Sequence, residues 1–189
     1  MHASALRWRQ GLVWFCTLVW CSGYATTPVP ADKQADVLLK VLASDRNLKV
    51  RSGDQINIAV LHKNNDAGAA EIAAAFQKAG AGAIAGLPVS AASVPFASAA
   101  ALMKQIASDG INVIYVDASL VKALSSVTQV TRGKKIPSLC GSRDLLEKGL
   151  SIGVYESGAT AKILINLRAA KVEGMKLKAE MLSIAEVIK

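Results

Sequence analysis

Three short apolar runs, Ile56–Leu61 (INIAVL), Ile111–Val116 (INVIYV) and Ile136–Leu139 (IPSL), most constrain what this chain folds into. Each is too brief for a helix, lacks the polar alternation of a half-exposed strand, and is rich in β-branched residues; such runs mark strands buried on both faces, as in parallel sheets. The stretches between them carry helical signals. Upstream of the first run, Ala35, Leu38, Leu39 and Leu42 fall at i, i+3, i+4 and i+7, one stripe of a helix with Asp32 in its first turn. Asn64-Asn65-Asp66 open a helix reaching about Lys78, and Ser98 caps another over Ala99–Ser108, closed by Asp109-Gly110. Asp117-Ala118-Ser119 lead into a helix through Leu120, Leu124 and Val127. This alternation predicts an α/β fold: a single domain with a mostly parallel sheet and helices on both faces. With 189 residues the chain is long enough for one full core and too short to expect two.

The remaining segments are read in the same way. Arg51-Ser52-Gly53-Asp54 is a turn, Arg132 to Lys135 is a basic turn, and a weak strand is expected near Ile84–Val89. Leu150–Tyr155 and Ala161–Leu167, joined by Glu156-Ser157-Gly158, form a C-terminal antiparallel β-hairpin added to the sheet. A closing helix places Leu177, Met181, Leu182, Ala185 and Ile188 on one apolar face, and its burial of Leu177, Met181 and Leu182 is expected.

At the N-terminus, Arg7 and Arg9 precede the apolar stretch Gly11–Trp20, and Gly23-Tyr24-Ala25 has the small-x-small form of a cleavage site. This is the layout of a secretory signal peptide, so residues 1–25 are expected to be removed, leaving a flexible leader over 26–30 and a domain over 31–189. The apolar run falls short of the roughly 20 residues of a membrane-spanning helix, which weighs against an uncleaved anchor. A lipid on Cys21 is the other alternative, against which stands the bulky Trp20. The mature chain is therefore expected in the periplasm and not membrane-spanning.

The chain has 22 Lys and Arg against 14 Asp and Glu, a net charge of +8 that falls to about +6 once Arg7 and Arg9 leave with the signal. Such a balance attracts a protein toward anionic membranes or acidic partners. The cations are scattered in the sequence, however, with Lys134-Lys135 the one doublet, and the mature chain lacks Trp. Nucleic-acid binding, which needs clustered cations or stacking rings, is not expected, and the charges read as a solvated surface. Cys140 alone remains after cleavage, at the end of an apolar segment, and reads as a small buried hydrophobe. An intermolecular disulfide or a redox switch is the alternative reading.

Ligands of parallel α/β sheets sit at the C-terminal ends of the strands. The residues expected there are His62, Asn64, Asp66, Asp117, Ser119, Ser142 and Arg143. They are candidates for ligand or anion binding, with Ser142 and Arg143 beside a short helix start the best placed to hold a carboxylate or phosphate, although capping of that helix by Ser142 with Arg143 in solvent is the favoured reading of the pair. A hydrolase triad of His62, Asp117 and Ser119 lacks a nucleophile elbow, and both Asp117 and Ser119 lie on one loop. One histidine and one cysteine supply no metal set. Gly80, Gly82 and Gly86 follow a helix instead of a strand and are spaced one residue too long for a dinucleotide loop. No catalytic residues, metal or cofactor are assigned.

The strand KILINL, Lys162–Leu167, followed by RAAKVEGMKLKAEMLSIAEVI, resembles the C-terminal half of the YfiR-like family of small bacterial periplasmic proteins. LLKVLASDRNL, INIAVL, GINVIYVDASL and IPSLCGS occur in the family's order, so the likeness covers Ala31 to Lys189. The chain departs from the family in an aliphatic first helix, where Trp-Pro is common, and in lacking paired cysteines, so no redox role is carried over. The resemblance implies a non-catalytic regulator that binds the periplasmic part of an inner-membrane signalling protein, a diguanylate cyclase or sensor kinase. A homodimer is compatible with it. From the residues alone, a single-lobe periplasmic small-molecule binding protein is the alternative.

Overall fold

The computed structural model describes residues 29–63, 67–158 and 160–189. The expected signal peptide and cleavage site, and the candidates Asn64 and Asp66, lie outside the described residues.

Among the described residues, seven strands form one sheet in the order β2-β1-β3-β4-β5-β6-β7. The strands are β1 (Ile56–His62), β2 (Val89–Pro95), β3 (Val113–Val116), β4 (Ser138–Cys140), β5 (Ile152–Ser157), β6 (Thr160–Asn166) and β7 (Glu186–Ile188). Every neighbouring pair is parallel except β5 with β6, which form the expected antiparallel hairpin. The three apolar runs form β1, β3 and β4, three adjacent strands inside the sheet, where both faces are covered.

Helices α1 (Ala31–Ala43) and α3 (Ala67–Ala79) cover one face. Leu38, Leu39, Leu42, Ile72 and Phe76 pack there on Ile58, Val60, Val113 and Leu139. Helices α4 (Ala99–Asp109), α5 (Leu124–Lys134) and α6 (Arg143–Glu147) cover the other, where Leu102, Val127, Val130 and Leu146 pack on Leu61, Ile114 and Val116. The boundaries of α4 follow its sequence: the Ser98 hydroxyl accepts from the Ala101 N–H, and Gly110 ends the helix in the left-handed conformation at φ 61°. Burial extends upstream of the expected domain start, because Val29 is 3% exposed and its carbonyl accepts from Gln34 Nε2 at 2.6 Å.

Four expectations are corrected. Arg51 and Ser52 belong not to a turn but to the short helix α2 (Leu48–Ser52), which Gly53 ends with φ 60°. The second strand starts where the expected one ends. Ile84 and Leu87 bond each other across a tight turn in which Ala85 and Gly86 hold positive φ, and the chain extends only from Val89. The small residues of Val89–Pro95 (VSAASVP) give a faint strand signal, and the pairing of Ile56–His62 with Val89–Pro95 overrides it. Arg132 and Lys134 lie in the last turn of α5, so the basic turn reduces to Lys135 in the left-handed cap. Lastly, the closing helix splits into α8 (Ala179–Ile184) and β7, after the six-residue helix α7 (Leu167–Val172). Leu177, Met181 and Leu182 pack against the core half-buried, not buried as expected. Glu186-Val187-Ile188 instead satisfies the open edge of β6, where unpaired backbone groups would otherwise remain.

Candidate functional site

Strand β1 leads into α3 on one face, and β2 returns through α4 on the other. The order therefore reverses between β1 and β3, and a crevice opens beyond the C-terminal ends of such strands. A cavity of about 370 Å³ occupies this position. Its polar lining comes from Gln34 of α1, Glu71 of α3, Tyr115 and Asp117 at the end of β3, and Ser142 after β4.

Tyr115 and Gln34 form its floor. The Tyr115 hydroxyl donates to Gln34 Oε1 at 2.9 Å, and Gln34 Nε2 is held on the Val29 carbonyl. The Tyr115 ring meets the Phe76 ring edge-on at 5.8 Å, which fixes its tilt. Burial, then the nearby Cys140 and Asp117, raise the Tyr115 pKa, so the phenol remains a neutral hydrogen-bonding group. Gly141 is required here by close approach: a Cβ at that position would stand 2.2 Å from Gln34 Oε1 and 2.7 Å from the Tyr115 hydroxyl. Glu71 and Asp117 give the opening an acidic rim.

The structure brings only part of the expected set into this crevice. Asp117 and Ser142 line it. Asp117 also caps the turn after β3, accepting from the Ser119 N–H at 2.7 Å, and the Ser119 hydroxyl accepts from the Lys63 N–H at 3.1 Å. These contacts tie the end of β1 to the loop after β3. His62 is buried at the end of β1 and is engaged with its surroundings. Ser142 precedes α6 without a side-chain capping bond.

Arg143 points elsewhere. Its guanidinium donates to Glu147 Oε1 at 2.8 Å, Glu186 Oε1 at 2.8 Å and the Tyr155 hydroxyl at 3.1 Å, and it stacks 5.2 Å from the Tyr155 ring centre. Tyr155 donates to Glu186 Oε2 at 2.5 Å. The bonds from Tyr155 and Arg143 hold the Glu186 carboxyl below its ordinary range, and the cluster fastens β7 to β5 and α6. Gly80, read as loop, seats α3 against β2: a Cβ there would lie 2.4 Å from Val89 Cβ.

Gln34, Glu71 and Tyr115 were not expected at the site. Tyr115 sits inside an apolar strand and reads as core. Gln34 carried a usable signal, a polar side chain four residues before Leu38 on the buried stripe of its helix. Among the described residues, no group of three His, Cys, Asp or Glu side chains converges as a metal set. No helix of the described residues is long and apolar enough to cross a membrane.

The fold recurs in solved structures. A conserved domain protein from Vibrio cholerae O1 biovar El Tor matches with a TM-score of 0.60 at 14% identity over 85% of this chain and 60% of its own. The ABC domain in complex with L-Trp from Streptococcus pneumoniae gives 0.56 at 19% identity, over 84% and 60%. A ligand-free, open substrate binding protein with adhesive properties from Clostridium difficile gives 0.53 at 16% identity, over 76% and 58%. This chain thus spans about 60% of the length of the first two and 58% of the third. At these identities the likeness shows the fold alone. No curated protein matches the sequence significantly. Residues 47–186 match the YfiR/HmsC-like family, known for periplasmic regulators rather than catalysts, and this chain belongs to that family.

Proposed function

We propose that this chain is a non-catalytic regulator that acts in the periplasm, binding the periplasmic part of an inner-membrane signalling protein and modulating its output. The observation that carries the proposal is the family match across residues 47–186, which takes in strands β1 to β6 and reaches the first residue of β7. A diguanylate cyclase or a sensor kinase is the class of partner, and the signal-like residues 1–25 supply export. The polar groups at the strand ends fit this reading, since Asp117 and Ser119 are spent on backbone contacts and Arg143 on anchoring β7. Self-association into a homodimer is compatible with it. Crosslinking of the tagged chain in intact cells should recover an inner-membrane signalling protein, and deletion of the chain should change that protein's output.

A second reading rests on the crevice. Gln34, Tyr115, Asp117 and Ser142 line a crevice at the strand ends, where α/β sheets take ligands, and a longer chain with this fold is solved in complex with L-Trp; both support a reading of the chain as a single-lobe binder of a small solute. Tight binding of a small solute by the purified chain, with no membrane protein recovered by crosslinking, would replace the regulatory reading with this one.

A further inference from the structure

The cations that are scattered in the sequence converge at the end of the sheet opposite the crevice. Arg132 and Lys135 close α5 just before β4 starts, Lys148 precedes β5, and Arg168 and Lys171 lie three apart on α7, just beyond the end of antiparallel β6. All of these positions therefore fall at one pole. Arg132 donates to the Gly149 carbonyl at 3.1 Å, which brings α5 against the loop bearing Lys148. A Cβ on Gly174 would lie 3.5 Å from Lys135 Cβ, which brings the cap of α5 against the end of α7. All five side chains belong to exposed residues, and among the described residues none is in an ion pair. The nearby carboxylates do not offset them: Glu173 is turned inward and fully buried, and Glu147 is held by Arg143.

At the centre of this pole, Arg132, Asn166, Arg168, Ala169 and Val172 line an open cavity of about 350 Å³. Two guanidinium groups flanking one cavity present the forked donors that suit a phosphate diester. Val172, 49% exposed, sets an apolar side chain among them. We propose that this pole is a membrane-docking surface that binds the phosphodiester headgroups of anionic phospholipid, one of them between Arg132 and Arg168. An acidic protein segment would meet the same charge. The compact cavity and the exposed valine fit a headgroup at the edge of the acyl region better than an extended chain. The surface is distinct from the crevice and stands whether or not the regulatory reading holds.

Flotation of the exported chain, purified from periplasm, with vesicles tests it. Vesicles of phosphatidylcholine alone should leave it free, whereas equal parts phosphatidylcholine and phosphatidylglycerol should bind it, with binding falling as salt is raised. Each cation near an anionic leaflet is worth about fivefold in partitioning, so R132E/R168E should lower binding by about 25-fold or more. K148E/K171E should act in the same direction and guards against misfolding of the first variant, with thermal melts confirming the fold of both. K33E/K122E makes the same charge change on exposed residues away from the pole and should bind nearly as wild type. Failure of wild type to bind phosphatidylglycerol vesicles overturns the proposal. So does an equal loss in K33E/K122E, which would make net charge the cause. Capture of an acidic periplasmic protein domain through Arg132 and Arg168, with no vesicle binding, would assign the pole to a protein instead.

Discussion

Glu173 is fully buried and, among the described residues, has no cationic partner, and the consequences of altering it follow from its contacts. Its carboxyl accepts from the Thr131 hydroxyl at 2.7 Å, the Ser138 N–H at 2.9 Å and the Ser138 hydroxyl at 2.8 Å, joining α5, the start of β4 and the end of α7. Glu173→Ala removes both acceptor oxygens and with them all three bonds. Each such bond is worth about 1–1.5 kcal/mol net, and the one buried methylene lost adds about 0.8 kcal/mol. Part of the loss is recovered, because Ser138 N–H also reaches Ser151 Oγ at 3.1 Å and the Thr131 hydroxyl reaches the Thr128 carbonyl at 3.1 Å. The expected net cost is about 2–4 kcal/mol, a fall in Tm of roughly 5–15 °C for a chain of this size. Glu173→Gln keeps one oxygen acceptor, and its amide donates to hydroxyls that rotate to accept, so it should cost less than about 1.5 kcal/mol. The pH dependence separates the two effects. Burial raises the Glu173 pKa despite its donors, so the folded state holds the proton to higher pH than the unfolded chain. Its contribution to stability is therefore full below the ordinary glutamate pKa and is lost as pH rises through the folded value. Urea unfolding across that range should show wild-type stability declining with pH and a flatter profile for Glu173→Gln. Parallel profiles for the two proteins, or a cost below about 1 kcal/mol for Glu173→Ala, would refute the account.

Two further outcomes are expected. The Cys140 thiol, buried and with its pKa pushed up to about 12 by that burial, should resist maleimide at neutral pH until the chain is unfolded; stoichiometric labelling of the native protein would contradict its placement. Gly141→Ala should displace Gln34 and break its bond with Tyr115, costing about 1–3 kcal/mol in denaturant unfolding, and unchanged stability would show that the crevice floor yields.

The order of elements was legible wherever burial dictated residue type. The runs at Ile56, Ile111 and Ile136 have the make-up of interior strands, and Gly158 between two β-segments marks a hairpin. What misled was local pattern without its tertiary partner. Val89–Pro95 is a strand because β1 offers an open edge, not because alanine and serine favour one. Leu177, Met181, Leu182 and Ile188 share a helical stripe by coincidence of spacing, yet Ile188 reaches the sheet as part of β7. The sheet end that carries the crevice was also legible, since strand ends and their polar loops can be read off. Its floor was not, because Gln34 and Tyr115 come together only when α1 packs across β3. The same holds for the basic pole: Arg132, Lys148 and Arg168 are far apart in sequence and share an end only after β4, β5 and β6 are laid side by side.

The distribution of charge along the sheet also bears on how the molecule meets a membrane. Among the described residues, cations outside any ion pair gather where β4 and β5 begin, whereas Glu71 and Asp117 rim the opening beyond β3. An anionic leaflet attracts the first end and repels the second, so the field that draws the molecule in also turns it. Docked by its basic pole, the chain presents the crevice away from the lipid, available to a periplasmic domain or a solute. Membrane attachment and recognition at the crevice would then be separable. R132E/R168E should weaken the first while leaving the Gln34–Tyr115 floor intact, and Gly141→Ala should disturb that floor while leaving vesicle binding unchanged. Loss of both properties in either variant would show that the two ends do not act independently.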